Sequence, residues 1–542
     1  MDGLTMDYQL GIDAIARRAE SLAGSRAIVG YGADGQARRS TWAETLSRAR
    51  RLGAALTALG VRQGEPVATL CWNSIEHLEA YFGVPLVGAV LHTVNTRLSA
   101  RDVAFILNDA GSRVLIVDET LLDLAEEARE LAPLDHVIVV GDRLPAWAVG
   151  YEDLLAEAVD EGTDPPRIDE RQACTLCYTS GTTGNPKGVV YSHRALAIQS
   201  LALMAVDLHG IRESDTILVV VPMFHANAWG HPYAAALAGA TLVLPHRDLS
   251  PGNLLTLIER HGVTHTGGVS TVWEGVLQLL DAEPGRYDTS SLRILRFGGA
   301  PVAPSVMRRL EECHGIPVVQ GFGMTEMSPM GSMAVLTSAF DGASADERWA
   351  QRAKQGRPIP FLDVRARNDA GLVPWDGRTA GELEVRGASV TGGYLHERGA
   401  DSFTADGWLL TGDIVTIDPH GFIQIVDRAK DLIKSGGEWI SSIALEASLC
   451  THPAVVDAAV IAIPDARWGE RPLACVVTRP GAHPTARELR DHLAPEYPSW
   501  WLPTRFEYLD EIPRTAAGKI RKADLRAALP VESGDDRQSA DS

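Results

Sequence analysis

The sequence has little cysteine and comparatively little positive charge. Its 542 residues include six cysteines, which is too few for a disulfide scaffold. Lys and Arg number 50 against 70 Asp and Glu, so the net charge is −20. Because binding to a nucleic-acid backbone requires a basic surface, this charge disfavours nucleic acid as the main partner. A small anionic ligand stays compatible, since it needs only a local pocket of positive groups.

Long apolar runs are also missing. No stretch approaches the roughly 20 residues of a membrane-spanning helix. The first residues, MDGLTMDYQLGID, are acidic and contain no basic segment followed by an apolar run, so they predict no secretory signal. We therefore expect a cytoplasmic protein without a transmembrane segment. With 45% hydrophobic residues, a chain of this length can bury large cores, and we expect more than one domain.

Two of the cysteines, Cys174 and Cys177, form a CxxC pair. Such a pair occurs in redox and zinc sites. Here no second CxxC and no neighbouring histidine pair accompanies it, and it lies within the apolar run ACTLCYTS. We interpret both cysteines as small residues of a buried strand.

Strand-like apolar runs alternate with helical patterns along most of the chain. Runs at 66–72, 89–95, 112–118 and 136–140 are separated by helical patterns near 75–88 and 100–109. After residue 188 the alternation starts again, with the runs DTILVVVPMF, ATLVLPH, GVTHTGGV and LRILRFGGA. This pattern predicts parallel βαβ units and an α/β fold of two doubly wound subdomains. A ligand is expected in the cleft between them.

The texture of the sequence changes from about Val364. Short strands with Gly and Asp turns, GELEVRG, GWLLTGD and GFIQIVDRAKD, predict a small β-rich subdomain. After Lys434, helical patterns near 442–450 and 485–493 and two strand runs predict a separate α+β domain. The polar residues 530–542, PVESGDDRQSADS, predict a disordered tail.

The most informative stretch is YTSGTTGNPKG, from Tyr178 to Gly188. Its glycines let backbone N–H groups turn towards phosphate oxygens, its hydroxyls add donors, and Lys187 adds positive charge. A Walker loop requires Ser or Thr directly after the lysine, whereas Gly188 follows Lys187. The stretch therefore predicts a phosphate-binding loop of another type.

YTSGTTGNPKG closely resembles the signature loop of the adenylate-forming superfamily, which includes acyl-CoA synthetases, peptide-synthetase adenylation domains and beetle luciferases. In that family the loop holds the pyrophosphate end of ATP. The residues that the resemblance implies for this role are Thr179, Ser180, Gly181, Thr182, Thr183, Gly184 and Lys187.

A second matching string is PMFHANAW, from Pro222 to Trp229. It is very similar to the string that holds an aromatic gate to the acyl tunnel in fatty acyl-CoA synthetases. Peptide-synthetase domains usually have an aspartate here, and its absence from this string disfavours amino acids as substrates. The resemblance implies a catalytic role for His225, and we expect the acyl pocket and its gate to include Ala226, Trp229, Ser270, Val272 and Trp273.

A third match comprises FGGAPV and VVQGFGMTEMSP. Glycines at a strand end permit close approach of a flat ligand, and the family's equivalent strings surround adenine. Phe322 stands where the family commonly has a tyrosine, so it keeps the stacking ring and loses the hydroxyl. Thr325 and Glu326 match the residues that hold the α-phosphate and Mg²⁺, with Thr179 as a further metal contact. The implied adenine contacts are Gly298, Gly299, Ala300, Pro301, Gln320, Gly321, Phe322 and Gly323.

The remaining matches lie towards the C-terminus. Asp413 resembles the carboxylate that binds the ribose hydroxyls, with Arg428 as its partner, and Lys430 falls at the family's hinge. Lys519, in PRTAAGKIRKADLR, resembles the lysine that bridges the substrate carboxylate and the α-phosphate. After a rotation about the hinge, a second face would enter the site, with Lys434 in a catalytic role and with Gly436, Gly437 and Trp439 binding coenzyme A.

The resemblance implies an ATP- and Mg²⁺-dependent ligase that converts a carboxylic acid to acyl-AMP and then to acyl-CoA. DLIKSGGEWISS and VPMFHANAW point to the branch that acts on medium- and long-chain fatty acids. The implied domains are an N-terminal domain (1–427), a hinge (428–434) and a mobile C-terminal domain (435–529), and the branch fits a homodimer. A carrier-protein acceptor and an aromatic, branched or sterol-derived acid remain alternatives. A light-emitting oxidation and a non-catalytic binding protein are disfavoured.

Overall fold

A computed structural model describes residues 3–158, 167–179, 186–300, 302–436, 438–465, 467–514 and 520–529. The chain divides into two compact units. The first draws on Met1–Asp363 and Arg386–Leu409, and the second on Val364–Val385 and Leu410–Ser542. None of the described helices is long and apolar enough to span a bilayer.

The first unit alternates strands and helices. Its strands are β1 (Ala27–Tyr31), β2 (Ala37–Thr41), β3 (Pro66–Leu70), β4 (Val90–Thr93), β5 (Val114–Asp118), β6 (His136–Val140), β7 (Val149–Gly150), β8 (Ala173–Tyr178), β9 (Gly188–Ser192), β10 (Thr216–Leu218), β11 (Thr241–Leu244), β12 (His265–Gly268), β13 (Ile294–Phe297), β14 (Val318–Gly323), β15 (Met330–Met333) and β16 (Arg357–Pro358). Its helices are α1 (Ile12–Ala23), α2 (Trp42–Ala58), α3 (Ile75–Leu86), α4 (Ala100–Ala110), α5 (Leu122–Arg129), α6 (Tyr151–Glu157), α7 (His193–Met204), α8 (His231–Ala238), α9 (Pro251–His261), α10 (Ser270–Ala282), α11 (Pro304–His314) and α12 (Ala345–Arg352).

These elements build two large sheets. One has seven strands in the order β7-β6-β5-β3-β4-β8-β9, and the other has nine in the order β16-β15-β14-β13-β12-β10-β11-β1-β2. Most of the pairs are parallel, as βαβ units require. The predicted α/β class with two successive sheets is confirmed.

Two details of the sequence-based division are wrong. The early strand β1 pairs in parallel with β11 of the nine-stranded sheet, although the sequence pattern places the strands of the second subdomain only after residue 188. Conversely β9, which follows the phosphate loop, returns antiparallel to β8 and completes the seven-stranded sheet. Hydrophobic periodicity identifies a strand but contains no information about which strand lies beside it.

Several helices begin and end at the capping residues that are usual for helices. Ser74, Ser99 and Ser192 each accept a hydrogen bond from a backbone N–H in the first turn of α3, α4 and α7, respectively. Gly111 ends α4 in the left-handed conformation, at φ 72°. Strand β5, VLIVD, is buried at every position, as expected of a central parallel strand covered on both faces.

Asn73 joins the two sheets where their strands end. Its Nδ2 donates to the carbonyls of Val219 and Val221 at 2.7 and 3.0 Å, and its Oδ1 accepts from the N–H of Met223 at 2.7 Å. The apolar run 215–224 therefore contains a regular strand only to Leu218, because the backbone beyond it bonds to this side chain. Asn73 lies at the carboxyl ends of the strands. The phosphate loop after β8 and the glycine-rich segment after β13 leave their sheets at these same ends.

The second unit contains two smaller sheets. Its strands are β17 (Leu362–Asn368), β18 (Gly371–Leu372), β19 (Gly381–Gly387), β20 (Leu409–Ile417), β21 (Ile423–Arg428), β22 (Ile433–Ser435), β23 (Glu438–Ile440), β24 (Val455–Asp465), β25 (Gly469–Thr478) and β26 (Arg505–Tyr508). Its helices are α13 (Ser442–Leu449), α14 (Ala486–Leu493) and α15 (Lys522–Ala528). The sheet orders are β18-β17-β19-β20-β21 and β23-β22-β25-β24, with β26 beside β25.

A buried polar network links these two sheets. Asp427, at the end of β21, accepts from the Ser442 backbone and hydroxyl at the start of α13. Lys522 donates to the same hydroxyl at 2.5 Å and pairs with Glu446 at 2.6 Å. Burial raises the pKa of the Asp427 and Glu446 carboxyls above their usual values, and the nearby ammonium of Lys522 offsets part of this rise. The β-rich sheet is therefore tied to the α+β part within the same unit, while the expected boundary at residue 427 stays a prediction.

We expect Asn73→Ala to lower the free energy of unfolding by about 2 to 4 kcal/mol, because it leaves a buried N–H and two buried carbonyls without this partner. Urea unfolding followed by tryptophan fluorescence measures the change. Asn108→Ala is the matched control, since it removes one exposed hydrogen bond to Leu131. Equal midpoints for the two variants would contradict the role given to Asn73.

Candidate active site

The phosphate loop is anchored at both ends in the first unit. The N–H of Thr179 donates to the carbonyl of Lys187 at 2.9 Å, which brings the two ends of the loop together. The predicted contacts Ser180, Gly181, Thr182, Thr183 and Gly184 lie outside the described residues.

Lys187, Tyr394 and Glu326 form a small polar cluster. The ammonium of Lys187 lies 4.8 Å from the centre of the Tyr394 ring, over its face. The hydroxyl of Tyr394 donates to Glu326 Oε1 at 2.8 Å. Burial raises the pKa of the Tyr394 hydroxyl, and the Glu326 carboxylate adds to the effect, so the phenol stays protonated as a donor. The cluster places a cation, a hydroxyl and a buried carboxylate beside the end of the phosphate loop.

The turn that carries Thr325 and Glu326 is held by buried side chains. It is a short 3₁₀ helix, Thr325–Met327. Tyr191 of β9 donates its hydroxyl to the Thr325 carbonyl at 2.6 Å, and Gln199 of α7 donates to the Met327 carbonyl at 2.9 Å. Strand β9 leads directly out of the phosphate loop, so one strand supports both halves of the cluster.

Trp229 lies against Gly298. A Cβ added at Gly298 would be only 2.9 Å from the Cη2 atom of the Trp229 ring. The backbone reaches this position through four consecutive residues with positive φ, from Ala226 (41°) to Trp229 (55°). Such a run is strained for residues other than glycine. Gly299 follows with φ 77°, while Pro301 lies outside the described residues.

The predicted pocket residues divide between two faces of the nine-stranded sheet. Trp229 is on the face of Gly298, whereas Trp273 packs with Phe297 in the core under α9, α10 and α11. Val272 packs against that same core, and Ser270 is the buried first residue of α10. The structure therefore places Ala226 in the segment that leads to Trp229 and Gly298, but it places Trp273 on the other face of the sheet.

Four of the residues predicted to contact adenine, Gln320, Gly321, Phe322 and Gly323, lie on β14. Gln320 donates its Nε2 to backbone carbonyls at 352 and 354, so its amide holds that turn. Phe322 is buried, with Gly331 beside its ring. Gly321 and Gly323 closely approach the backbone of the following strand, and Ala300 is half-buried. His225 is half-buried and precedes the left-handed run.

In the second unit Asp413 and Arg428 face each other across β20 and β21. They are register partners, and Arg428 Nε lies 2.9 Å from Asp413 Oδ1. The carboxylate is buried and the guanidinium half-buried. The predicted pair is thus brought together, and its role towards ribose stays a prediction.

Further residues of the second unit form an exposed hairpin. Lys434 and Trp439 are register partners on β22 and β23. Gly436 has φ 61°, and a Cβ there would lie 2.8 Å from the Trp468 ring. Lys430 is exposed and precedes this hairpin in the chain. Gly437 and Lys519 lie outside the described residues.

Sequence reasoning missed two aromatic residues. Tyr394 follows the glycine pair of TGGY, and Trp468 ends the string PDARW. A glycine pair before an aromatic residue signals a close backbone approach, but it does not reveal that the ring will meet Lys187. The CxxC interpretation is confirmed: Cys174 and Cys177 are buried in β8 and unpaired with each other.

Comparison with protein-family models gives two matches. The model described as AMP-binding enzyme matches residues 15–395. The model described as AMP-binding enzyme C-terminal domain matches residues 444–519.

Among curated proteins, a long-chain-fatty-acid–CoA ligase of Thermus thermophilus is 46% identical, over 96% of each chain. A medium-chain-fatty-acid–CoA ligase of Ectopseudomonas oleovorans is 40% identical, over 97% of each chain. Among solved structures, the anthranilate CoA ligase AuaEII in complex with anthranoyl-AMP matches with a TM-score of 0.85 and 28% identity. That alignment covers 97% of this chain and 98% of the other.

We expect two of the six thiols to react rapidly with a chromogenic disulfide reagent in the folded protein. Cys313 and Cys450 are exposed, while the other four are buried. Because burial raises the pKa of Cys177 to about 11 and of Cys174 well above its usual range, their reactive thiolates are scarce. Absorbance counts the thiols released before and after unfolding. Rapid release of four equivalents by the folded chain would contradict this burial.

Proposed function

Since the chain belongs to the AMP-binding enzyme family, we propose that it is an ATP-dependent acyl-CoA ligase. It would activate a medium- to long-chain carboxylic acid as acyl-AMP and transfer the acyl group to coenzyme A. AMP and pyrophosphate would be the other products. The cluster of Lys187, Tyr394 and Glu326 beside the phosphate loop is the observation that carries this proposal.

The cluster suits the first step, in which a substrate carboxylate oxygen attacks the α-phosphorus of ATP and the bond to pyrophosphate breaks. Charge builds up on the departing pyrophosphate, and Lys187 would stabilise that charge together with the donors of the loop. Tyr394 holds Glu326 in place by its hydrogen bond and lies beneath the ammonium of Lys187. Lys519 is proposed to hold the two anions together before they react, as an orienting charge.

The residues present also fit a magnesium ion. Glu326 is a buried carboxylate whose partner Tyr394 is a neutral donor, and carboxylate oxygen is the ligand type that Mg²⁺ prefers. Glu326 and Thr179 are the residues proposed to hold it. When bound, the ion supplies positive charge that offsets the phosphates.

In the second step the thiol of coenzyme A attacks the acyl carbon, and the bond from that carbon to the AMP oxygen breaks. We propose that the hairpin of Lys434, Gly436 and Trp439 receives the pantetheine arm, because its exposed aromatic and glycine leave room for a narrow chain. A rotation about Lys430 between the steps, a cytoplasmic location and a homodimer remain part of this proposal.

The acid is proposed to lie along the face of Gly298, with Trp229 at its entrance. The names of the two curated relatives support a fatty acid of medium or long chain. His225, just before the strained segment, is proposed to contact the reacting end.

We expect AMP and acyl-CoA to form together when the protein is given ATP, Mg²⁺, coenzyme A and saturated acids from acetate to palmitate. Coupled AMP release and chromatography of the thioester measure both products. Lys519→Ala should lower the adenylation rate at least about 100-fold, because it removes the charge that holds the two anions together. Adenylate without thioester would favour a carrier-protein acceptor instead, and no turnover of any acid would contradict the proposal.

Tyr394→Phe keeps the ring under Lys187 and removes the hydrogen bond to Glu326. We expect kcat/KM for ATP to fall about 10- to 100-fold, since hydrogen bonds to charged groups have effects of this size. Tyr287→Phe is the matched control, because this ring packs beside the core under α9 and α10. Steady-state kinetics at saturating acid measure both. An unchanged kcat/KM in Tyr394→Phe would contradict the positioning role of the hydroxyl.

A further inference from the structure

Four basic side chains are buried together in the first unit: His209, His231, His265 and Arg296, which we name the basic recess. All four are nearly inaccessible, with exposed fractions of 4% or less. The three imidazole rings form a triangle with centroids 5.3 to 5.6 Å apart. No part of the mechanism above uses these residues.

Within the described residues, Arg296 donates its hydrogen bonds to neutral acceptors. Its Nη2 donates to the Leu208 carbonyl at 2.7 Å, its Nε to His265 Nε2 at 3.3 Å and its Nη1 to Met333 Sδ at 3.4 Å. Burial lowers the pKa of the guanidinium, although arginine stays charged in proteins. A buried charge without a counter-ion is costly, so this position is completed best by an anion.

The carboxylate of Asp215 does not fill that role. It attracts Arg296 at longer range, but its oxygens accept from Arg293 at 2.7 Å and from Thr264 at 2.7 Å. Its charge is therefore engaged by another guanidinium.

The histidines add unused hydrogen-bonding atoms. In the part of the chain that is described, His209 Nδ1, His265 Nδ1 and one ring nitrogen of His231 have no hydrogen-bond partner, while the Ala228 carbonyl lies beside the His231 ring. Burial lowers the pKa of His231 to about 4 and those of the other two well below their usual range, so all three are neutral near pH 7. Each neutral ring supplies one N–H donor, and a carboxylate offers about four acceptor positions.

The recess lies on the same face of the sheet as the proposed acid site. Arg296 and Gly298 are two residues apart on and just after β13, so their side-chain positions share a face about 7 Å apart along the strand. Trp229 covers Gly298, and His231 comes two residues after Trp229 in the chain. The recess therefore lies beyond Trp229, in the direction away from the glycines after β13.

A metal ion suits the same triangle less well. Three inward lone pairs would be required, but His265 Nε2 already accepts from Arg296, so its Nδ1 holds the proton. The neighbouring guanidinium would also repel the ion. The observations favour an anionic ligand.

We propose that the basic recess binds a carboxylate at the far end of the substrate acid, so that the enzyme prefers α,ω-dicarboxylic acids to monocarboxylic acids of equal length. This inference rests on the proposed function and specifies its substrate class. One carboxylate is adenylated, while Arg296 and the imidazole N–H groups hold the other.

The test compares kcat/KM for dicarboxylic acids of four to twelve carbons with that for monocarboxylic acids of equal carbon number, using the full-length enzyme. At the best length we expect the dicarboxylic acid to be favoured at least about 10-fold. Arg296→Met should lower kcat/KM for that acid about 100-fold and leave the monocarboxylic acid unchanged or improved. Arg309→Met, an exposed arginine, is the matched control.

His231→Leu serves as a second variant if Arg296→Met does not fold, and it should reduce the same preference about 10-fold. A general loss of activity towards both classes of acid in His231→Leu would overturn the assignment, because a structural role does not discriminate between them. Turnover of monocarboxylic acids with no preference for dicarboxylic acids would overturn this inference while leaving the proposed function intact. No turnover of either class would overturn the proposed function.

Two further measurements distinguish other occupants. Melting temperatures in sodium chloride and sodium gluconate at equal ionic strength detect a free anion in the recess. A chloride-specific stabilisation lost in Arg296→Met, without a dicarboxylate preference, would show a structural anion and overturn the assignment to substrate. Elemental analysis showing one zinc ion per chain would also overturn it, whereas a metal-free protein that prefers dicarboxylic acids supports it.

Discussion

The ring of Trp229 occupies the space that a side chain at position 298 would need, and the proposed acid site depends on that contact. An added Cβ would lie 2.9 Å from the ring, so glycine at 298 and the position of the indole require each other. The strained run from Ala226 to Trp229 delivers the indole to this point. Strain of this kind persists only where the surroundings hold it, and here the buried amide of Asn227 donates to Thr175 Oγ1 of β8 at 2.7 Å while the Trp229 ring packs against Gly298.

The same contact separates two environments along one face of the sheet. On one side of Trp229 lie the glycines after β13, which lack side chains and permit a flat ligand to approach. On the other side lies a buried arginine surrounded by histidines. A substrate with a charge at each end matches this order of environments, since each end meets groups of opposite charge or hydrogen-bond donors. The hydrocarbon between them would lie beside the indole.

The region proposed to bind phosphate is supported by residues at the ends of neighbouring strands. Strand β9 leaves the phosphate loop and carries Tyr191, whose hydroxyl fixes the turn of Thr325. Asn73 then joins the seven-stranded sheet to the segment that leads to Trp229. The turn of Thr325 and the segment that leads to Trp229 are thus each held by a hydrogen bond from the seven-stranded sheet or the residues that follow its strands.

Many strands and helices could be predicted from the sequence, whereas several pairings and contacts between distant residues could not. Strands such as 114–118 and helices such as 100–110 are found because their periodicity is a local property of the chain. The partnership of β1 with β11 was not found, because register between distant strands leaves no local pattern. Tyr394 and the basic recess were missed for the same reason, since their partners are far away in sequence. Trp273 was expected in the pocket, whereas α10 places it in the core on the other face, because the packing of a helix on a sheet leaves no local pattern in the chain.

The most direct test of the account is to follow oxygen-18 from the carboxylate of a substrate acid. Adenylation and thiolysis leave one carboxylate oxygen on the phosphate of AMP, because the second step breaks the bond between the acyl carbon and that oxygen. Mass spectrometry of the products should therefore find one labelled oxygen in each AMP and none in pyrophosphate. Unlabelled AMP, or label in pyrophosphate or orthophosphate, would mean that the acid is not activated at the α-phosphorus and would contradict the account.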